Sequence, residues 1–502
     1  MNKNNRVLFV CLYNPKSIGV RYLEHALESA GFEVWVVALK NLIPKPKKPT
    51  DVEIQHFLSL IDKHDPLFIG FSMLSSLYLE VAIDLSSKIK TKTSAPIVWG
   101  GVYATLSPER SLKHCDYVVR GEAEEAIVDL AEKLRDGDSL DEMMNLSYVK
   151  DGKTVINPVR KLVQELDKFE MALIGKQNKY FIESNKLKQT DRYQKSFSYE
   201  TSCSRGCPFA CSYCSASNLK RLYSGGGYTR LRSVDHVMKE LRYAKARIKN
   251  LKLIYFYDEI FLGDPNWIDE FCAKYKAEIG IPFWIWTHPT ATKFEVLDKL
   301  RRAGLECVSM GVQSGSQTVR QKVFYRPGSN EQILSAAKAI VDAKVPLVRY
   351  EFIVRHPYES MEDLKKTYEL STQLPGKFSL RTFILQYLPG TDISDRAVKD
   401  GHFTEEEMEG MMYAPMEEQF PQWWGENAAS DEASFWQHLT SMTQFKLLKG
   451  RAKRLADKGA NKKTIKKASR YYRLCNVFIK LGLYWNQVRR ILNGIRSKLI
   501  PK

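Results

Sequence analysis

Along the first 150 residues apolar and polar positions alternate in short blocks whose period switches between about 2 and about 3.6, the marks of strands and amphipathic helices. Apolar runs at Val7 to Leu12, Val34 to Ala38, Leu67 to Phe71, Ile97 to Trp99 and Tyr117 to Val119 predict strands. Tyr22 to Ala30, Leu77 to Lys88 and Glu124 to Leu134 predict helices between them. This order implies an α/β domain over residues 1–150, a Rossmann-like doubly wound parallel sheet whose ligand lies outside the carboxyl ends of the strands. A second series begins at Phe197 to Thr201 and continues through Leu253 to Tyr257, Phe283 to Thr287, Cys307 to Gly311, Leu347 to Phe352 and Leu380 to Ile384, again with helical segments between. Six strand–helix units predict a partial (β/α)6 barrel over 196–400, an incomplete form of the eight-unit barrel. Residues 151–195 are polar, with Gly152 and Pro158 interrupting the period, and predict a connector made of a small hairpin and a helix. Residues 401–502 predict a mostly α-helical C-terminal region.

Composition narrows the class. The 502 residues suffice for two or three domains, and 44% hydrophobic with 27% charged content suits a soluble globular protein. The nine cysteines do not form a disulfide framework, which predicts a reducing compartment. The run Val7 to Tyr13 is too short for a signal-peptide core, and no apolar stretch approaches the roughly 18 residues of a membrane span, so a cytoplasmic location is expected.

The net charge of +18 is uneven: Lys446 to Lys502 holds 18 Lys and Arg against Asp457 alone and so carries +17 of it. This tail mixes bases with aromatics and aliphatics, as in Arg470-Tyr-Tyr-Arg-Leu and Val477 to Trp485. Two readings stand open: an amphipathic helix making peripheral contact with an anionic membrane, or a helix packed on the barrel with a solvated basic face. Basic charge also invites a nucleic-acid reading through counterion release. Against it, the tail aromatics cluster with aliphatics instead of alternating with bases on a strand platform.

The run Cys207-Pro-Phe-Ala-Cys211-Ser-Tyr-Cys214 supplies three thiolates, where a closed zinc site takes four ligands. A four-iron cluster held by three cysteines keeps one iron open to another ligand. The spacing resembles the signature of the radical S-adenosylmethionine (SAM) superfamily. That resemblance implies a 4Fe-4S cluster on Cys207, Cys211 and Cys214 whose open iron binds SAM, reductive cleavage to a 5′-deoxyadenosyl radical, and a one-electron donor such as flavodoxin or ferredoxin. It places Tyr213 near the adenine. Cys203 reads as a loop thiol outside the cluster.

The loops after the N-terminal strands carry Asn14-Pro-Lys16-Ser-Ile-Gly19, Ser72-Met-Leu74 and Trp99-Gly100-Gly101-Val102. In order, these are similar to the Asp-x-His-x-x-Gly, Ser-x-Leu and Gly-Gly pattern of cobalamin-binding domains, as Leu106-Ser-Pro-Glu109 and Val118 to Glu124 are to those of radical SAM relatives. The resemblance assigns Asn14, Lys16, Gly19, Ser72, Gly100 and Gly101 to cobalamin. Glycines admit the nucleotide tail close to the backbone, and a small hydroxyl bonds to it. Asn14 replaces the family's aspartate and Lys16 its cobalt-ligating histidine. A protonated lysine has no lone pair for a metal, so cobalamin is expected without a lower histidine ligand, as in many radical SAM relatives of this kind.

At the barrel strand ends, Asp258 and Glu259 match the segment that contacts the SAM amino group in the family, and either carboxylate would serve. Gln313 and Ser314 match a position that contacts the ribose or carboxylate of SAM, with glutamine replacing the usual acid. Arg349 and Glu351 should point into the barrel by alternation. His288, His356, Tyr358 and Tyr228 lie in turns that face substrate or serve local hydrogen bonding. Gly225-Gly-Gly227 lacks a P-loop lysine. The resemblance implies a cobalamin-dependent radical SAM methyltransferase acting on an unactivated carbon of a small-molecule or lipid-like substrate, such as a lipid, isoprenoid or tetrapyrrole. Oxidation, cyclisation or rearrangement without methyl transfer is the alternative.

Overall fold

The computed structural model describes residues 4–43, 46–223, 226–261, 263–423 and 431–479. The N-terminal strands are β1 (Arg6–Leu12), β2 (Glu33–Leu39), β3 (Phe68–Ser72), β4 (Ile97–Gly100) and β5 (Tyr117–Val119). They run parallel in the order β5-β4-β3-β1-β2, so the order reverses between β1 and β3 and opens a crevice at their carboxyl ends. Alternation along β1 divides the core. Val7, Phe9 and Cys11 pack under the helices Ile18–Ser29 and Glu124–Asp136, while Leu8, Val10 and Leu12 pack under Asp51–His64 and Leu79–Lys90. The helix Asp51–His64 was not among the sequence expectations, although Ile54, Phe57, Leu60 and Ile61 repeat at helical spacing and Thr50 with Glu53 forms a capping box.

The expected connector is corrected. Within 151–195 the described helical content is a three-residue 3-10 turn, Leu166–Lys168, and the remaining order lies in strands. β6 (Leu146–Lys150) and β7 (Lys153–Ile156) form a hairpin on the β5 edge, so the boundary expected at 150 falls inside one hairpin. β8 (Lys179–Glu183) and β9 (Lys186–Gln189) form a second hairpin, in which β8 joins β2 in parallel. Both hairpins cover sheet edges whose backbone groups would otherwise be unpaired, and they complete a nine-stranded sheet.

The second body is a six-stranded parallel sheet of β10 (Ser198–Thr201), β13 (Leu253–Phe256), β14 (Phe283–Thr287), β15 (Leu305–Gln313), β16 (Leu347–Val354) and β17 (Ser379–Ile384), in that order. A two-stranded ribbon, β11 (Ser204–Arg205) with β12 (Arg230–Leu231), is inserted after β10. Phe256, Phe271, Tyr275 and Phe283 pack edge-on between strands and helices.

The C-terminal helices complete both cores. Met416 and Phe420 are buried in the N-terminal core, while Phe435, Leu439, Leu448, Ala468 and Cys475 join the barrel core. Of the two tail readings, the described segment 446–479 takes the packed one, and His438 stacks on Tyr472 with centroids 4.3 Å apart. The part of Val477 to Trp485 beyond residue 479 lies outside the described residues. Among the described residues no helix is long and apolar enough to cross a membrane.

Phe256 is fully buried in four aromatic contacts. Phe256→Ala should therefore lower unfolding free energy by about 3–5 kcal/mol, read as the displaced denaturant midpoint of the barrel transition.

Candidate active site

The three cysteines occupy the loop between β11 and the helix Ser215–Arg221. Gly206 enters this loop at φ +88°, where any Cβ would collide with the Tyr228 carbonyl, so Tyr228 serves as a floor for the turn. The Ser212 hydroxyl donates to the Val323 carbonyl at 2.7 Å, and its N–H donates to Phe324 O at 3.0 Å. The Ser217 hydroxyl donates to Cys211 O at 2.7 Å. These bonds hold the loop from the barrel side.

Burial pushes the Cys207 thiol up to about 11 and raises that of Cys214, and in both cases the neighbouring cysteines and Glu259 add to the shift. The three sulfurs and Glu259 therefore share one electrostatic neighbourhood, and an incoming metal centre must displace the thiol protons. Among the described residues no three metal-binding side chains converge as ligands of a single ion. A four-iron cube does not require that, because each cysteine takes a different corner. The donor set fits such a cube.

The two acids separate. Asp258 is buried and accepts from the N–H groups of Cys203 at 3.0 Å and Ser204 at 2.6 Å and from the Ser204 hydroxyl. Burial raises its pKa to about 6 against these bonds. These bonds make Asp258 a positioning group for the loop that leads to the cysteines. Glu259 is exposed beside Cys207 and Cys214 and remains available to an ammonium group. Cys203 is fully buried, donates its N–H to Asp258 and has its thiol pKa raised by burial.

Ser314 is fully buried, with its hydroxyl 3.3 Å from that of Thr367 and accepting from Ser316 N–H, so it braces the turn after β15. Gln313 stays half-buried at φ +72°, a left-handed conformation rare for glutamine, where the β15–β16 register shifts. Tyr213 packs edge-on against Phe324 at 5.0 Å, its oxygen 3.4 Å from Arg326 Nη1. His288 bonds Thr290 through Nδ1 at 2.8 Å and stacks on Phe209 of the cysteine loop at 4.0 Å, and burial pushes its pKa down to about 3. His356 is buried against Phe324, and burial pushes it down to about 4. Both imidazoles are therefore neutral. Tyr358 donates to Asp400 at 3.0 Å, on the side of the helix Asp392–Lys399.

Sequence reasoning missed Arg326. Its Nη1 lies 3.6 Å from Cys211 Sγ and its Nη2 donates to Gly311 O at 2.7 Å, which links the cysteine loop to β15. No local spacing ties it to a residue 115 positions away.

In the N-terminal crevice, Gly19, Ser72, Gly100 and Gly101 line a cleft of about 270 Å³ together with Val119, Glu122, Ser202 and Arg205. Gly101 has φ +93° and approaches Met73 so closely that a Cβ would strike its carbonyl. A largely apolar crevice with a few polar groups fits a nucleotide tail. Asn14 and Lys16 are not among the residues that line it. Lys16 Nζ instead donates to Ser196 Oγ at 2.6 Å, Ser198 Oγ at 3.0 Å and Glu200 Oε1 at 3.1 Å, pinning the loop to β10. The cleft opens at the domain junction, where Arg205 contacts Glu122 Oε2 at 3.1 Å and Glu124 Oε1 at 2.5 Å, and Arg230 also pairs with Glu122.

Comparison with known proteins agrees with this geometry. Residues 7–131 match the B12 binding domain and residues 201–371 the radical SAM superfamily. An uncharacterized methyltransferase of Pyrococcus horikoshii is 25% identical over 356 residues, covering 69% of this chain and 73% of its own length. The anaerobic magnesium-protoporphyrin IX monomethyl ester cyclase of Rubrivivax gelatinosus is 25% identical over 369 residues, 70% of this chain and 61% of its own. Among solved structures, the radical SAM methyltransferase TsrM of Kitasatospora setae, with cobalamin and a 4Fe-4S cluster bound, superposes at TM-score 0.62 with 16% identity over 79% of this chain and 75% of that one. The cobalamin-dependent radical enzyme OxsB, with aqua-cobalamin bound, superposes at TM-score 0.64 with 18% identity, covering 94% and 71%. At these identities the structural likeness establishes the fold.

Iron analysis of reconstituted variants checks the thiol assignments. Ala at Cys207, Cys211 or Cys214 should abolish stable cluster content, while Cys203→Ala should retain it. Glu259→Gln should weaken SAM binding about tenfold with iron content unchanged, the loss of one charge-assisted contact, measured by equilibrium dialysis.

Proposed function

The chain belongs to the cobalamin-dependent radical SAM enzymes, and from that premise we propose that it is a methyltransferase acting on an unactivated carbon. The observation that carries this reading is the meeting of the two sites. Ser202 and Arg205, in the segment that leads to Cys207, also line the cleft of the B12 domain, so a methyl carrier there would lie beside the radical source. With its cofactors bound, the protein would have SAM and a 4Fe-4S cluster to generate a 5′-deoxyadenosyl radical and methylcobalamin to supply the methyl group.

The chain's own residues have distinct parts. Cys207, Cys211 and Cys214 hold the cluster, and Arg326 sets a positive charge against the Cys211 sulfur. Glu259 pairs with the SAM ammonium, while Asp258 fixes the loop. Tyr213, held by Phe324 and Arg326, offers a ring face to the adenine. Gly19, Ser72, Gly100 and Gly101 would admit the nucleotide tail, and Lys16, where cobalamin-binding relatives carry a ligating histidine, is bound to Glu200 and two serines. The similarity to the cyclase of Rubrivivax gelatinosus supports a second reading, an oxidative or cyclising outcome built on the same residues without methyl transfer.

Anaerobically reconstituted protein given methyl-labelled SAM and a strong reductant should release both 5′-deoxyadenosine and S-adenosylhomocysteine, with label on cobalamin. Deoxyadenosine alone would place the enzyme with the second reading. The bound cob(II)alamin should give an electron paramagnetic resonance spectrum without nitrogen splitting from a lower histidine.

A further inference from the structure

The last two described helices turn one side to the barrel and the other to solvent. Leu448, Ala452 and Leu455 of the helix Lys446–Ala456 recur at helical spacing and are buried in the barrel core, as are Ala468 and Cys475 of the helical residues 462–479. Phe445 meets Phe478 with ring centroids 5.7 Å apart, and Arg451 lies 5.5 Å from the Tyr471 ring. These two contacts pair the helices antiparallel, since 445 faces 478 while 451 faces 471. Leu447 falls between the first two contact points and Leu474 between the second two, so Leu447, Leu474 and Phe478 share the seam between the helices. Leu447 is 87% exposed, and Leu474, Val477 and Phe478 are half-exposed. Val477 stands about 200° around the helix from the buried Cys475, on the outward face. Single exposed apolar side chains are ordinary, but four on one face mark a binding surface.

The charge around this seam is almost entirely positive. Residues 446–479 hold 12 Lys and Arg against Asp457 alone. Lys446, Arg451 and Arg454 on the first helix and Lys467, Arg470 and Arg473 on the second are exposed. Among the described residues none of these six meets a carboxylate within ion-pair distance, whereas Lys274 of the barrel pairs with both Asp235 and Glu270. Packing on the barrel thus leaves a face of unpaired bases with an apolar centre. Positive charge alone would suit any polyanion, and the apolar seam decides among them. A phosphodiester backbone has nothing to cover Leu447, Leu474 and Val477. A bilayer takes such side chains among its acyl chains, while long basic side chains reach back to its headgroups.

We propose that the outer face of these two helices docks on an anionic lipid bilayer, with Leu447, Leu474, Val477 and Phe478 entering the interface and the six bases meeting the headgroups. The buried stripe holds both helices on the barrel, so the contact is peripheral. The sequence that follows, 480–502, carries six further bases and no acid and so continues the same charge. Docking concerns where the enzyme works, goes beyond its reaction and rests on none of the cofactor assignments.

Co-sedimentation of the full-length protein with lipid vesicles tests it. Vesicles of phosphatidylcholine with phosphatidylglycerol should bind at least about tenfold more tightly than phosphatidylcholine alone, and rising salt should erase most of that difference. Leu447→Ser with Leu474→Ser should lower the affinity for the mixed vesicles about tenfold and leave its salt dependence unchanged. Lys467→Gln with Arg470→Gln should lower it about tenfold or more and flatten the salt dependence. The thermal midpoint and iron content of each variant report that it has folded. Equal binding to neutral and mixed vesicles, no binding to the mixed vesicles, or wild-type affinity in either double variant would each overturn the proposal. Single-stranded RNA that displaces the protein from mixed vesicles at equal phosphate concentration would give the face to nucleic acid and overturn it as well.

Discussion

The ion network of Arg205, Arg230, Glu122 and Glu124 is the contact on which the rest of the architecture depends. Arg205 stands two residues before Cys207, Glu122 and Glu124 follow β5 of the B12 domain, and Arg230 lies on the partner strand of the ribbon. Burial works against the Arg205 charge, but Glu124 and Glu122 outweigh it and raise its pKa. Tyr22 and Phe169 add aromatic faces at 4.7 and 5.3 Å. A docking out of register would bury some of these charges without a partner, a penalty on the order of several kcal/mol per ion. The network therefore selects one docking of the two bodies, the one that puts the cofactor cleft against the cysteine loop.

The loop itself is prepared before any metal arrives. Asp258 gathers two backbone N–H groups and a hydroxyl, Gly206 makes the turn that no side chain would allow, and Ser212 ties the segment between the second and third cysteines to Val323 and Phe324. The cost appears in the thiols, which burial keeps protonated, so cluster binding is coupled to proton release. Arg326 lies beside the Cys211 sulfur and joins the loop to β15 through the Gly311 carbonyl.

The C-terminal region closes the assembly from the opposite side. Arg110 of the N-terminal domain pairs with Glu409 and lies over Tyr413 at 4.0 Å. Met408, Met412 and Ile393 pack with Phe324 in the cluster of apolar side chains that also supports Tyr213. A helical segment distant in sequence thereby stiffens the wall of the active site as well as the domain junction. Leu448, Ala452, Leu455, Ala468 and Cys475 of its later helices join the barrel core, while Leu447, Leu474, Val477 and Phe478 stay exposed.

Much of this was legible in the chain. The strands and most helices of both bodies followed from apolar period, because a strand buried between helices must be apolar and a helix must show one apolar stripe. Cys207, Cys211 and Cys214 were legible because a short loop fixes their mutual reach whatever surrounds it, and Gly100-Gly101 because close backbone approach excludes side chains. In the polar segment 151–195 the expected hairpin is present as β8 and β9, whereas the expected helix is replaced by edge strands, which lack the apolar run of a central strand. The sequence alone determined the two folds, the three thiol ligands and the absence of a histidine at Lys16. Only the tertiary structure decided that Asp258 accepts from the loop before the cysteines while Glu259 stays exposed, that Ser314 turns to Thr367, that Lys16 grips β10, that Arg205 meets Glu122 and Glu124, and that Arg326 reaches Cys211. The reason is that each of these depends on which charges lie nearby and how far water is excluded, and both are set by residues tens to hundreds of positions apart that only the packed chain brings together.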